Sequence, residues 1–91
     1  MRSMLLAASF LLALPVQAQE LVISANDTVQ TVVSARKGKA VTLRLTGGQE
    51  ITGTVRDAST RMVVLGALSG REFFDAAVPL EKIEAVIVRT K

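Results

Sequence analysis

Eight carboxylates are scattered along the chain, at Glu20, Asp27, Glu50, Asp57, Glu72, Asp75, Glu81 and Glu84. Acid–base catalysis needs two such groups in one cleft, with their proton affinities pushed apart. This spacing brings no pair together; Asp57 and Asp75 could meet only across a closed sheet. The chain has no cysteine and no histidine. The usual nucleophile–base pairs and the ordinary zinc ligand sets therefore lack their commonest members. We expect no enzyme, no cofactor and no metal. The basic residues offer one cluster, Arg36-Lys37-Gly38-Lys39. Three cations in four positions are more often a solvated loop than a phosphate site. Ser59-Thr60-Arg61 is a second candidate contact. Its arginine suits an anion, and a plain solvated turn is the competing reading.

The elements that would position these residues are mostly strands. Val41, Leu43 and Leu45 alternate with Thr42, Arg44 and Thr46; beyond Gly47-Gly48, Ile51, Gly53 and Val55 alternate with Thr52, Thr54 and Arg56. Such alternation buries one face of a sheet and wets the other. The glycine pair suits a tight hairpin. Gly53, with no side chain to pack, marks a bend or a close backbone approach. The pattern predicts strands over residues 41–46, 49–56, 62–67, 71–78 and 83–89, the third buried on both sides or closing a barrel. Phe73 and Phe74 open the fourth; neighbours on a strand face opposite ways, so one ring should enter the core and the other face outward. That outward ring serves either as an interface anchor or as a surface covered by the chain's own helix or arm. Pro79 and the residues after it form a single tight turn, since proline cannot donate to a central ladder.

Ahead of the strands, Asp27 stands three residues before Gln30, in capping-box register. Val29, Val32 and Val33 then share one helical face, and Gly38 can end the helix, which we place over residues 28–37. Leu21-Val22-Ile23 is a strand or a packed arm. The first 18 residues have another character: a basic start, an apolar run, then Pro15-Val16-Gln17-Ala18. That layout fits a secretory signal peptide cleaved between Ala18 and Gln19. An uncleaved anchor is the alternative, although the run is about half of the ~20 residues a crossing needs.

Residues 19–91 then make one small domain. A core of this size rarely supplies more than ~3–5 kcal/mol without a staple. With disulfides excluded, assembly with other copies is the staple that remains. Leaving out Arg2, ten basic residues face eight acidic ones, a near balance that predicts no strong nucleic-acid field.

Leu45, Gly48, Ile51, Gly53 and Val55, followed by Ala58 and Met62, match without a gap the first sequence motif of the Sm/LSm family. The preceding helix and the chain length resemble its bacterial, Hfq-type branch. The resemblance covers residues 27–89. It implies a mostly β fold: a short N-terminal helix, then a five-stranded, strongly bent Sm-like (SH3-like) barrel. It also implies that the fourth strand of one subunit pairs with the fifth of the next, closing rings of roughly six or seven copies. Phe73, Phe74, Val78 and Ile87 would then lie at the subunit interface. The family's RNA-binding residues are largely missing. Ser59 stands where Asp is usual and Arg61 where an aromatic or His is common. Val63 stands where the archaeal and eukaryotic branch has Asn. Val78-Pro79-Leu80-Glu81-Lys82 replaces the bacterial second motif.

These readings converge on an exported, non-enzymatic Sm-like barrel, periplasmic or secreted, that self-assembles and serves as a binding or scaffolding module. Two alternatives differ in kind: a nucleic-acid binder that keeps the family's activity, and a periplasmic OB-type ligand-binding barrel.

Overall fold

A computed structural model describes residues 20–90. The signal-peptide reading and its Ala18–Gln19 cleavage point lie outside the described residues. Among those that are described, no helix is long and apolar enough to cross a membrane.

The chain forms one short helix, α1 (Val29–Ser34), and five strands: β1 (Ala40–Leu45), β2 (Glu50–Ala58), β3 (Met62–Gly66), β4 (Ala76–Pro79) and β5 (Ile83–Val88). A 3₁₀ turn, Leu80–Lys82, joins β4 to β5. All pairings are antiparallel, and the strands lie in the order β4-β3-β2-β1-β5. The fold is thus mostly β, as the alternation predicts. Within one chain, however, the sheet is open. No ladder among the described residues joins β4 to β5, so these strands form its two edges.

The β1–β2 hairpin follows directly from the sequence pattern. Val41 faces Gly53 and Leu43 faces Ile51 across the ladder. Val41, Leu43 and Val55 are buried. On the other face Thr42 and Thr52 share a 2.7 Å hydrogen bond, and Arg44 donates to Glu50 from both Nε and Nη2. At the bend, Gly48 has φ +91°, a conformation that side chains disfavour. Two bulges interrupt the ladders, one between Arg44 and Leu45 against β5 and one between Val55 and Asp57 against β3. Bulges of this kind bend a strand and raise its local twist.

The core consists of Val33, Val41, Leu43, Val55, Val63, Leu65, Leu68, Val78 and Ile83. Val33 comes from α1, which packs on β2 and β5. The helix is shorter than predicted, and its cap differs. Thr28 is the N-cap; its hydroxyl accepts from Thr31 N–H, and the Thr31 hydroxyl accepts from Thr28 N–H at 2.8 Å. Asp27 is engaged elsewhere, accepting from Ser24 N–H at 2.7 Å and from the Thr31 hydroxyl at 2.9 Å. With that carboxylate tied to the preceding turn, the capping register moves on by one residue. Gly38, at φ +84°, lies beyond the helix and donates its N–H to Val55 O at 2.8 Å. The Leu21-Val22-Ile23 segment forms no strand and is exposed.

The stretch predicted as strand 71–78 departs most. Only Ala76–Pro79 pairs with β3. Before it the chain spends its backbone groups locally: Arg71 N–H bonds Leu68 O at 2.9 Å and Phe74 N–H bonds Arg71 O at 3.0 Å. Ala67 and Gly70 have positive φ, which breaks an extended run. Off the strand, alternation no longer applies, so neither phenylalanine enters the core. Phe73 is 101% exposed and Phe74 62%. β3 is likewise buried on one side only; Val63 and Leu65 are buried, whereas Met62 is exposed.

Candidate functional site

The predicted contact residues Ser59, Thr60 and Arg61 form the turn between β2 and β3. The turn is built by the serine hydroxyl, which accepts from Arg61 N–H at 3.1 Å and from Met62 N–H at 3.0 Å. Ser59 N–H in turn donates to Met62 O at 2.8 Å. Ser59 is therefore occupied in holding the turn, whereas the side chains of Thr60 and Arg61 take no part in its hydrogen bonds.

A cleft of about 690 Å³ opens beside this turn, bounded on one side by residues 59–62 and on the other by Pro79, Leu80 and Glu81. Leu80 N–H donates to Arg61 O at 2.9 Å and fastens the two walls. Arg61 is exposed and has no carboxylate partner among the described residues. Glu81 supplies a negative charge on the opposite wall. The cleft thus combines one available cation, the Thr60 hydroxyl, one carboxylate and the apolar side chains of Met62, Pro79 and Leu80. That set can hold a small polar or anionic group, and its lining offers no aromatic ring on which a base could stack.

The other charged groups separate rather than converge. Asp57 pairs with Lys37 at 3.5 Å and Asp75 with Arg56 at 3.6 Å, each pair exposed. The two aspartates each have their own cation and form no carboxylate pair. Lys37 is drawn away from the basic cluster, while Arg36 and Lys39 line a separate cleft of about 410 Å³ between the 20–22 segment and α1. No group of three or more metal-ligating side chains occurs among the described residues. The Asp27 carboxyl is held below its ordinary value of 3.8, chiefly by the Ser24 backbone N–H and then by the Thr31 hydroxyl. It is a structural group of the helix start, distant in sequence from the turn.

The motif residues serve packing. Gly48 makes the hairpin bend, and Val55 is 1% exposed; Leu45 and Ile51 are half-buried against the core. Gly53 lies where backbones approach: a Cβ there would stand 2.8 Å from Gly66 O and 2.9 Å from Leu68 Cδ2. Of the four predicted interface residues, Val78 has its side chain in the chain's own core at 5% exposure. Phe73, Phe74 and Ile87 are exposed, the last at 41% on edge strand β5.

Leu68 and Arg56 were not foreseen from sequence. Leu68 is buried although it sits in a loop, because it fills the space that Gly53 leaves open. Arg56 lies across Gly66, in contact with the space a side chain would need there, and reaches Asp75. The signal available for Arg56 was Gly66 itself, a small residue ending an apolar run. No protein-family model, curated protein or solved structure matches the chain.

Proposed function

We propose that the chain is a non-enzymatic, exported Sm-like barrel subunit, which joins copies of itself edge to edge and acts as a binding or scaffolding module in a bacterial envelope. One observation carries this reading: β4 and β5 are the two free edges of a single sheet, at opposite ends of its strand order. Edge strands present unpaired backbone groups and are completed by cover or by another chain. Because the two edges differ, pairing β4 of one copy with β5 of the next is a head-to-tail contact, and such contacts close into rings when the rotation permits. The gapless motif from Leu45 to Val55 and the N-terminal helix support the Sm-like assignment; the small core supports assembly.

Light scattering on the purified protein, followed across micromolar concentrations, tests the reading. A single species with the mass of several chains is expected. A persistent monomer refutes it.

The exposed Arg61, without an acidic partner among the described residues, favours a second reading, a nucleic-acid contact at the β2–β3 turn. Fluorescence anisotropy with oligo(U) and oligo(A) separates the two. A phosphate contact must weaken as salt rises, and Arg61→Ala must remove it.

A further inference from the structure

We propose that Phe73 and Phe74 of one copy dock into an apolar cleft on the β1–β5 face of a neighbouring copy, beside Ile87. The inference rests on the edge-to-edge reading above and names the side chains that make the contact.

The first ground is that the β4 edge is too small to hold a partner alone. Leu80 N–H turns toward β3, bonding Arg61 O. By the alternation of an antiparallel ladder, residues 78 and 76, like Leu80 N–H, direct their backbone groups to β3, and 77 and 79 face away from it. Residue 79 is a proline and lacks an N–H. The outward edge of β4 is thus reduced to Ala77 N–H and Ala77 C=O, because Pro79, as N-cap of the 3₁₀ turn, gives its carbonyl to that turn. Stable interfaces bury about 800 Å² on each partner; two backbone groups reach only a small part of that. Two aromatic side chains, each able to bury roughly 150–250 Å², supply much of the remainder.

The second ground is that the loop carrying them is fixed. Leu68 is anchored in the core, Ser69 N–H bonds Thr52 O at 2.9 Å, and Asp75 pairs with Arg56 at 3.6 Å. Phe73 and Phe74 are held out by an ordered frame rather than by a free tail, which lowers the ordering entropy lost on docking.

The third ground is the position of a matching cleft. In an antiparallel pairing of β4 with a neighbour's β5, the start of β4 at Ala76 lies toward the end of β5 at Val88. The two phenylalanines directly precede that start. At that end of β5 a cleft of about 300 Å³ is lined by Thr42, Thr52, Ile87, Val88 and the charged Arg89, among others. Thr42 and Thr52 satisfy each other through their 2.7 Å hydroxyl contact. These two hydroxyls therefore ask for no further polar partner, and most of the lining is apolar. An apolar cavity of ~150 Å³ is already enough for a benzene-sized ring.

The native chain has no cysteine, so cysteine pairing gives a clean test. Two single variants, Phe74→Cys and Ile87→Cys, are expressed from the full sequence, purified, mixed and oxidised. A disulfide between the two variants is expected to predominate over either homodimer. In parallel, the double variant Phe73→Ala/Phe74→Ala is expected to dissociate at a concentration about tenfold or more above wild type. Ile87→Glu should do the same, with little further loss when all three changes are combined. Circular dichroism of each variant checks the fold; both rings are exposed in the isolated chain, so their removal leaves it intact. Wild-type assembly that is insensitive to all these changes, with no mixed disulfide, overturns the docking contact and leaves edge-to-edge assembly standing. A wild type that stays monomeric overturns both. Loss of binding by Phe73→Ala/Phe74→Ala to phosphatidylglycerol–phosphatidylcholine vesicles, with assembly unchanged, also overturns docking and assigns the rings to a lipid surface.

Discussion

The β1–β2 hairpin and the β3–β4 loop are both rich in apolar residues, and they treat them in opposite ways. In the hairpin, Leu43 and Val41 are almost wholly removed from solvent. In the loop, only Leu68 is, and Phe73 and Phe74 stand in water. Hydrophobicity is not what separates the two stretches, since a phenylalanine offers more apolar area than a valine. Register separates them. The hairpin alternates at period two while its backbone pairs with a neighbouring strand, so every second side chain is delivered to one face. The loop closes its hydrogen bonds within itself, and its aromatic residues are adjacent rather than alternate. In these two stretches burial follows the ladder, and Leu68, outside it, enters the core where Gly53 leaves a gap for it.

The sharpest way to break this contrast is to delete one apolar side chain from each stretch. Leu43→Ala should cost about 2–5 kcal/mol, the range for a large-to-small change in a packed core. A small domain has little more than that in total, so the variant should be largely unfolded. Phe73→Ala should leave the stability of the unassembled chain within about 0.5 kcal/mol. Urea denaturation at a concentration low enough to suppress assembly measures both. Equal losses at the two positions would show that the loop is packed in solution and that the contrast is false.

Glycines sharpen the comparison further, because both stretches need one for a turn and only the hairpin needs one for space. At Gly53 the obstacle is steric: a new Cβ meets Gly66 O and Leu68 Cδ2 inside 3 Å. Gly53→Ala should cost about 1–3 kcal/mol, as overpacking does. At Gly48 and Gly70 the space is open and φ is +91° and +83°. Alanine there should cost about 1 kcal/mol through backbone strain alone. A thermal melt of Gly53→Ala in a Leu68→Ala background separates the two causes. Removing Leu68 should relieve part of the clash at Gly53 and none of the strain at Gly48.

The capping site shows how local chemistry sets an element that the core then uses. Thr28→Ala removes one half of the reciprocal pair with Thr31 and should cost about 1 kcal/mol. Part of that loss reflects weaker seating of Val33, the one wholly buried helix residue. Helical circular dichroism near the thermal midpoint reads it. A loss no larger than that for Ala at exposed Thr60 would mean the cap contributes nothing.

How much of this was legible follows the same division. The hairpin, its bend at Gly48 and the close approach at Gly53 could be read from residue types, because each has a local cause: alternation, positive φ, a missing side chain. The other four strands and the single helix were legible too, with ends displaced by a few residues. The fourth strand was not, because Phe73 and Phe74 favour strands by type, while the turns that remove them depend on Ala67 at φ +48°, a conformation its sequence does not announce. The candidate cleft was legible in half. Ser59, Thr60 and Arg61 could be singled out, but the opposing wall at Pro79–Glu81 arises from pairing across β3, which local pattern does not encode. The cap at Thr28 rather than Asp27 turned on the competing Ser24 turn. Two overlapping signals of equal quality left no local basis for choosing between them.

The smallest effect tests that same competition. Asp27 accepts from Ser24 N–H and from the Thr31 hydroxyl, and both bonds favour its charged form, so its carboxyl titrates below the ordinary 3.8 in the folded chain. A group depressed on folding contributes stability that is fully present above its unfolded value. That contribution is lost as pH falls through the folded value. The loss belongs to the acid side, from just above pH 3.8 downward, and nothing from this residue changes near neutrality. Asp27→Asn keeps an acceptor for Ser24 but has no charge to titrate. Its melting temperature should therefore decline less steeply than wild type below that pH and run parallel to it above. Parallel curves throughout the acid range would mean that the Ser24 turn is as well formed without the charge as with it. The shift of the cap to Thr28 would then owe to the threonine pair alone.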